Sequence, residues 1–364
     1  MSLPLPPFFD PAAASRVYRV AYQQRAAEAR AWAATHGIRP AVEDARRTAL
    51  VLIDVQNTFC LPEFELFVGG RSGRGATEDC QRIAAFLYRN LDRITQVVAT
   101  LDTHTAAQIF HPLFWVGSDG AHPGPHTVIT LADVESERWR VNPELAPAVA
   151  PHAGFDVQAW ALHYARRLAE GGKYPLVVWP YHSMVGGIGH AMVSAVEEAV
   201  FFHAIARQSP TRVEIKGQNP LTENYSVLRP EVTGDASGSP VASANDALVE
   251  HLLSFDEVVV AGEAQSHCVA WTVEDLLSEI RARDPRLAER VVLLDDCTSP
   301  VVVPGVVDFT DAAEEAYARF AAAGMRRALS TNPLSPRGAP SEPGDEGSAG
   351  RIPRDASRSS PCCY

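Results

Sequence analysis

The sequence predicts a doubly wound, Rossmann-like α/β fold with a six-stranded parallel sheet and helices on both faces. Three observations lead there. Short β-rich runs alternate with helical segments along most of the chain, the pattern of repeated βα units. Several runs, such as "TALVLID" (48–54) and "EVVVAG" (257–262), are continuously apolar, as strands covered on both faces must be. No internal repeat divides the 364 residues, a length that suits one large α/β domain or two smaller ones.

The elements follow in order. Residues 1–47 form an N-terminal extension: the first ten are Pro-rich and extended, and 12–35 is dense in strong helix formers and predicts a single helix. A main domain spans 48–330. Its predicted strands are 48–54, 95–102, 175–180, 212–217, 257–262 and 290–296. Helices are predicted at 78–94, 190–207, 245–255, 268–283 and 309–324, and right-handed crossovers distribute them over both faces. Residues 112–174, between the second and third of these strands, form a long insertion; connections of that length are usually active-site covers or oligomer contacts. The Pro-, Gly- and Ser-rich segment 331–364 predicts a disordered tail.

Composition narrows the function. Hydrophobic residues make up 46% and charged residues 21%, as in a soluble globular protein. The formal net charge is −12 and leaves no basic excess to neutralise phosphates, which argues against a nucleic-acid or anionic-membrane binder. There is no basic, then apolar, N-terminal leader and no window of about 18 apolar residues. The six cysteines are scattered without a CxxC pair, which fits free thiols in a cytoplasmic protein. Cys60, Cys80 and Cys297 read as packing thiols, and Cys362 and Cys363 as incidental ones.

Ligands of open parallel sheets bind outside the carboxyl ends of the strands, so the residues there carry the functional reading. The first strand ends at Asp54, the second in Asp102 and His104, the third in Trp179 and His182, and the fourth at Lys216; the fifth runs through Gly262 to Cys268. A lone cysteine is more often a core residue. Cys268, however, stands where a helix begins, and the free N–H groups there favour a thiolate. A carboxylate such as Asp54 could take the thiol proton and return it to a leaving amine. Lys216, partly buried at the end of an internal strand, needs anionic partners, and Asp54 and the thiolate are the candidates. Asp102 and His104 point the same way from an extended segment. With His182 they form a donor set suited to Zn²⁺, Fe²⁺ or Mn²⁺ rather than Ca²⁺ or Mg²⁺. His111 is the best fourth ligand, with His122, His126 and His190 as alternatives.

Four motifs in this order, "LIDVQNTFC" (52–60), "LDTH" (101–104), "WPYH" (179–182) and "GEAQSHCV" (262–269), with "KG" at 216–217, resemble the isochorismatase-like cysteine hydrolases, and among them the nicotinamidases. The likeness spans about residues 48–300. It implies that Cys268 attacks the carbonyl of a small carboxamide, that Asp54 is general base and acid, and that Lys216 orients both. A thioester would form, ammonia or an amine would leave, and water would release the acid. It further implies an oxyanion hole from the N–H groups of Ala264 and Cys268, a cis Glu263–Ala264 peptide, a divalent metal on Asp102, His104 and His182 that meets a ring nitrogen of the substrate, a substrate ring held between Phe59 and Trp179, and a homo-oligomer. From the residues alone, Phe59 and Trp179 read rather as plain core or pocket walls.

The sequence departs from that pattern at Ser266, where an Asp is common, at Ser183, where a Cys is usual, and in the insertion and the N-terminal extension. The insertion could reshape the pocket through Trp115 or His122. Hydrolysis of another C–N bond, in a ureido or carbamoyl substrate, and a non-catalytic family member are the alternatives.

Overall fold

Six strands meet in one parallel sheet: β1 (Thr48–Ile53), β2 (Gln96–Asp102), β3 (Arg212–Lys216), β4 (Glu257–Gly262), β5 (Val291–Leu294) and β6 (Arg326–Ala328). They are ordered β6-β5-β4-β1-β2-β3 in a computed structural model that describes residues 2–171 and 174–334. Their flanking helices are α1 (Tyr22–His36), α2 (Gly75–Arg89), α3 (Val157–Gly171), α4 (Ser194–Arg207), α5 (Asp246–Leu253), α6 (Ala270–Arg283) and α7 (Thr310–Ala322). From β1 the chain winds one way through β2 and β3, then returns to β4 and winds the other way. The connections leaving β1 and β4 therefore diverge and open a crevice between two neighbouring strands.

All six residues of β1 are buried, which explains its uninterrupted apolar sequence. Successive side chains alternate between faces. Ala49, Val51 and Ile53 join a core with α3, α5, α6 and α7, whereas Leu50 and Leu52 join one with α2 and α4. Register sets up the site: Ile53 stands opposite Gly262, and Asp102 stands opposite Lys216.

Three predicted elements are corrected and one unpredicted strand is added. The segment 175–180 is not a strand of the main sheet. Leu176–Val177 pairs antiparallel with Val128–Ile129, and the Val178 N–H donates to Thr127 O, both partners lying in the insertion, while the Trp179 N–H donates to Phe110 O just before it. An apolar run reports burial, not which partner provides it. The sixth strand is β6 instead. Its exposed Arg326 and Arg327 are what a sheet edge requires and a hydrophobicity reading overlooks.

The N-terminal helix is likewise not one piece. A turn of 3₁₀ helix (Pro11–Ser15) precedes an extended stretch, in which the Tyr18 N–H donates to Ser194 Oγ and the Tyr18 hydroxyl to Glu198; α1 begins only at Tyr22. Tertiary contacts of Tyr18 outweigh local helix propensity there. Finally, β3 is an edge strand rather than an internal one, yet Lys216 at its end is only 5% exposed.

The insertion packs as part of the domain. Trp115, Trp160 and Tyr164 are buried against the β1 face, and Trp115 Nε1 donates to Ile109 O. The tail predicted at 331–364 lies outside the described residues from 335 onward; before that point Leu334 is buried, and its carbonyl accepts from Arg93 Nη1.

His203, on α4, is fully buried. Its Nε2–H donates to Ile94 O, and burial, reinforced by Arg207, lowers its pKa to about 4. The unfolded chain takes up a proton below about pH 6.5 that the folded chain refuses. Stability is thus complete above pH 6.5 and falls as pH drops toward 4, by up to about 1.4 kcal/mol per pH unit from this residue. Denaturant midpoints measured across that window should show a shallower acid loss in His203→Gln than in the parent.

Candidate active site

The crevice between β1 and β4 gathers residues that are distant in sequence. Gly262, the last residue of β4, has φ +117°, and a Cβ there would lie 2.1 Å from Ile53 O, so only glycine lets the two strand ends come this close. The next peptide, Glu263–Ala264, is cis. The chain then makes one wide turn (Gln265–Val269) before entering α6, and this turn carries Cys268, 8% exposed, at the crevice wall. Across from it Asp54 follows β1 at φ +46°, a left-handed conformation uncommon for a residue with a Cβ and often found at functional positions.

Lys216 joins these groups. Its Nζ lies 2.9 Å from Asp54 Oδ2, 2.9 Å from Asp102 Oδ1 and 3.5 Å from Cys268 Sγ, and it donates to Asn224 O at 2.8 Å. Thr100 Oγ1–H donates to Asp54 Oδ1 at 2.5 Å and in turn accepts from the Asp54 N–H, which fixes the carboxylate. Two carboxylates on one buried ammonium shift the proton affinities. Lys216 is held well above its ordinary pKa, because Asp102 and Asp54 outweigh the desolvation that opposes its charge. Burial raises the Asp54 pKa, against the pull of Lys216. Burial likewise pushes the Cys268 thiol up, against the pull of Lys216, and the nearby Asp54 carboxylate adds to the rise. The thiol's proton affinity is thus raised above its ordinary value, beside a carboxylate whose own affinity is also raised.

A second cluster adjoins the first through Asp102. His104 Nε2 lies 2.7 Å from Asp102 Oδ2, and His182 Nε2 lies 3.5 Å from the same oxygen. The opposite nitrogens are anchored to backbone: His104 Nδ1 at 3.0 Å from Gly217 O, His182 Nδ1 at 2.8 Å from Pro180 O, and His111 Nδ1 at 3.0 Å from Thr105 O. A carbonyl can only accept, so each Nδ1 carries hydrogen, and a neutral ring in that tautomer turns its Nε2 lone pair inward. Lone pairs facing a carboxylate oxygen repel unless a cation lies between them. Asp102, His104 and His182 offer ligand atoms within 4.8 Å of one another, all three residues buried. His111 stands beside them, its ring centroid 5.5 Å from that of His182, with Nε2 buried and without a hydrogen-bond partner; burial, then His182 and His104, lower its pKa to about 3. This donor set fits Zn²⁺, Fe²⁺ or Mn²⁺. His190 is engaged instead with Thr103 Oγ1, and His122 with Trp115 O.

A cavity of about 310 Å³ joins the two clusters. Phe59 and Trp179 line it, and Trp179 Nε1 donates to Glu223 Oε1. Neither Trp115 nor His122 reaches it; the insertion contributes His126 instead. Sequence reasoning missed Thr100, Glu223, Asn224 and Tyr225. Asn224 acts through its backbone carbonyl, which no residue type signals. Thr100 lies inside β2, two residues before Asp102, and the inward direction it shares with that Asp was the available clue.

No family model and no curated protein matches the chain. Among solved structures it is similar to an Acinetobacter baumanii nicotinamidase–pyrazinamidase at 18% identity, covering 79% of this chain and 97% of that one, with a TM-score of 0.47. It is also similar to the yeast nicotinamidase bound to the inhibitor nicotinaldehyde, at 16% identity, 78% and 99% coverage and a TM-score of 0.49. A third likeness is to the Pyrococcus horikoshii pyrazinamidase in complex with zinc, at 15% identity, 78% and 99% coverage and a TM-score of 0.40. At such values the chemistry must come from the residues themselves.

Three outcomes are expected. Lys216→Met leaves Asp54 and Asp102 facing each other without their cation, and chemical denaturation should register a loss of about 3–5 kcal/mol. Calorimetric titration with Zn²⁺ should reveal one site that His104→Ala and His182→Ala abolish. Gly217→Ala should weaken that site, because the new Cβ would fall 2.4 Å from His104 Cε1 at a backbone φ of +77°.

Proposed function

We propose that this chain is a cysteine amidohydrolase of the isochorismatase-like, nicotinamidase-related kind, acting on a small carboxamide. The observation that carries the reading is the convergence of a carboxylate, an ammonium and a thiol: Lys216 Nζ at 2.9 Å from Asp54 and 3.5 Å from Cys268 Sγ, at the wall of a cavity of ligand size.

In this reading Asp54 takes the Cys268 proton as sulfur adds to the carboxamide carbon. Lys216 keeps the carboxylate and the developing thiolate at a fixed separation and balances their charge. The oxyanion is received by the N–H groups of Ala264 and Cys268. Asp54 then passes its proton to the leaving nitrogen as the C–N bond breaks, which gives ammonia and a thioester. Water attacks the thioester, Asp54 accepts its proton, and the carboxylic acid departs as the thiol is restored. The raised pKa of Asp54 suits both directions of transfer.

A divalent ion on Asp102, His104 and His182, with His111 beside it, would supply a positive charge and an open position for a lone pair of the substrate, such as a ring nitrogen. Phe59 and Trp179 would flank a planar ring. Half-buried Phe64, Phe67, Val301 and Val302 make the outer cavity apolar, so heteroaromatic carboxamides with an apolar substituent belong beside the unsubstituted ones in any substrate panel.

Ammonia release from such a panel tests the reading. Cys268→Ala should abolish turnover while the folded state and Zn²⁺ binding persist. Asp54→Asn should lower kcat by about 10²–10⁴-fold, the range of general acid–base catalysis. Full turnover in Cys268→Ala would refute the assignment.

A further inference from the structure

Two buried carboxyl groups behind the crevice are not used by the reaction above. Glu263 and Asp79 are each 1% exposed. Glu263 lies in the loop after β4, one residue before Ala264, and Asp79 lies in the first half of α2. Ser299 bridges them: its N–H donates to Glu263 Oε2 at 3.2 Å, and its hydroxyl donates to Asp79 Oδ2. Arg82 Nη2 donates to Asp79 Oδ1 at 2.7 Å, and Glu263 Oε1 is buried without a donor of its own, with the Asp79 carboxyl as neighbour.

Like charges in contact and out of water cannot both persist. Arg82 pairs with Asp79, so the negative charge is favoured there and the proton on Glu263, where it would face Asp79. Burial first, then Asp79, push the Glu263 pKa well above its ordinary range, in agreement with that assignment.

The segment Glu263–Gln265 has no ladder of its own. The Glu263 N–H donates to Ile53 O at 2.8 Å, and the Gln265 N–H donates to Ser299 O at 2.8 Å. The Ala264 carbonyl accepts from the His267 N–H at 3.0 Å and the Val269 N–H at 3.1 Å, and the Glu263 side chain adds a tie to Ser299 from the residue before it. We propose that Glu263 is a positioning residue: clamped by Asp79 and Ser299, its carboxyl group fixes the peptide that presents the Ala264 N–H to the oxyanion. This rests on the amidohydrolase reading for its role in turnover, but the clamp can be examined without turnover.

Two reactions of Cys268 separate positioning from general loosening. Nicotinaldehyde adds to the thiol: an S–C bond forms, the C=O π bond opens, and the thiol proton passes to the former carbonyl oxygen, which then lies where the oxyanion would. Iodoacetamide alkylates the same sulfur, expels iodide and develops no oxyanion. In Glu263→Ala, nicotinaldehyde affinity should fall about 10²-fold, the worth of one oxyanion donor, while the alkylation rate at Cys268, followed by mass spectrometry, stays at the parent value. Glu263→Gln restores a donor toward Asp79 and an acceptor for the Ser299 N–H, and should recover most of the affinity. With a carboxamide substrate, the Ala variant should lose kcat with KM little changed. Should Glu263→Ala fail to fold, Asp79→Ala, which removes the partner and leaves the loop side chain in place, is read the same way. Unchanged aldehyde affinity in the Ala variants, a parallel loss of affinity and alkylation, or no recovery with Gln overturns the inference. Absence of carboxamide turnover in the parent protein would defeat the amidohydrolase reading instead, and the aldehyde comparison would still decide the clamp.

Discussion

A single buried ammonium holds this site together. Lys216 Nζ touches Asp54 and Asp102 at the same 2.9 Å and lies 3.5 Å from Cys268 Sγ. Without it, two carboxylates would stand uncompensated in a region closed to water, a cost of several kcal/mol. With it, the thiol and metal-type clusters share one electrostatic framework, because Asp102 gives one oxygen to Lys216 and turns the other to the imidazoles. Changes at either cluster are therefore felt at the other.

Register and backbone conformation make that framework feasible. Asp102 stands opposite Lys216 across β2 and β3, which puts the ion pair on adjacent strand ends without a long side-chain reach. Gly262 lets the start of the cysteine loop cross Ile53, and the left-handed Asp54 turns its carboxylate into the crevice. The supporting groups lie one layer behind: Thr100 fixes Asp54, three backbone carbonyls fix the histidines, and Ser299 ties Glu263, in the loop before the cysteine, to Asp79 of α2. Catalytic geometry has to be held to a fraction of an ångström, and such secondary contacts are how proteins hold it.

The insertion adds shape rather than chemistry. Trp115, Trp160 and Tyr164 enlarge the core beside β1, and the same insertion supplies the antiparallel partner that draws the 175–180 segment away from the sheet. Trp179 and His182 consequently reach the cavity from a loop anchored on the insertion rather than from a strand end.

Much of this was legible in the sequence. Continuous apolar runs identified β1 and β4, because a strand covered on both faces has no place for polar side chains. Asp54, Asp102, His104, Lys216 and Cys268 stood out because chemically distinctive types fell just after such runs. Tertiary structure decided the rest: that 175–180 leaves the sheet while the polar β6 joins it, that the edge residue Lys216 is nevertheless buried, and that burial raises the proton affinity of the Cys268 sulfur. Local sequence encodes how much of a segment must avoid water. It does not encode which distant segment provides the cover, nor the proton affinity of a group whose partners lie 50 to 200 residues away. Those follow only when the chain closes on itself, since desolvation and Coulomb energies depend on distances through space.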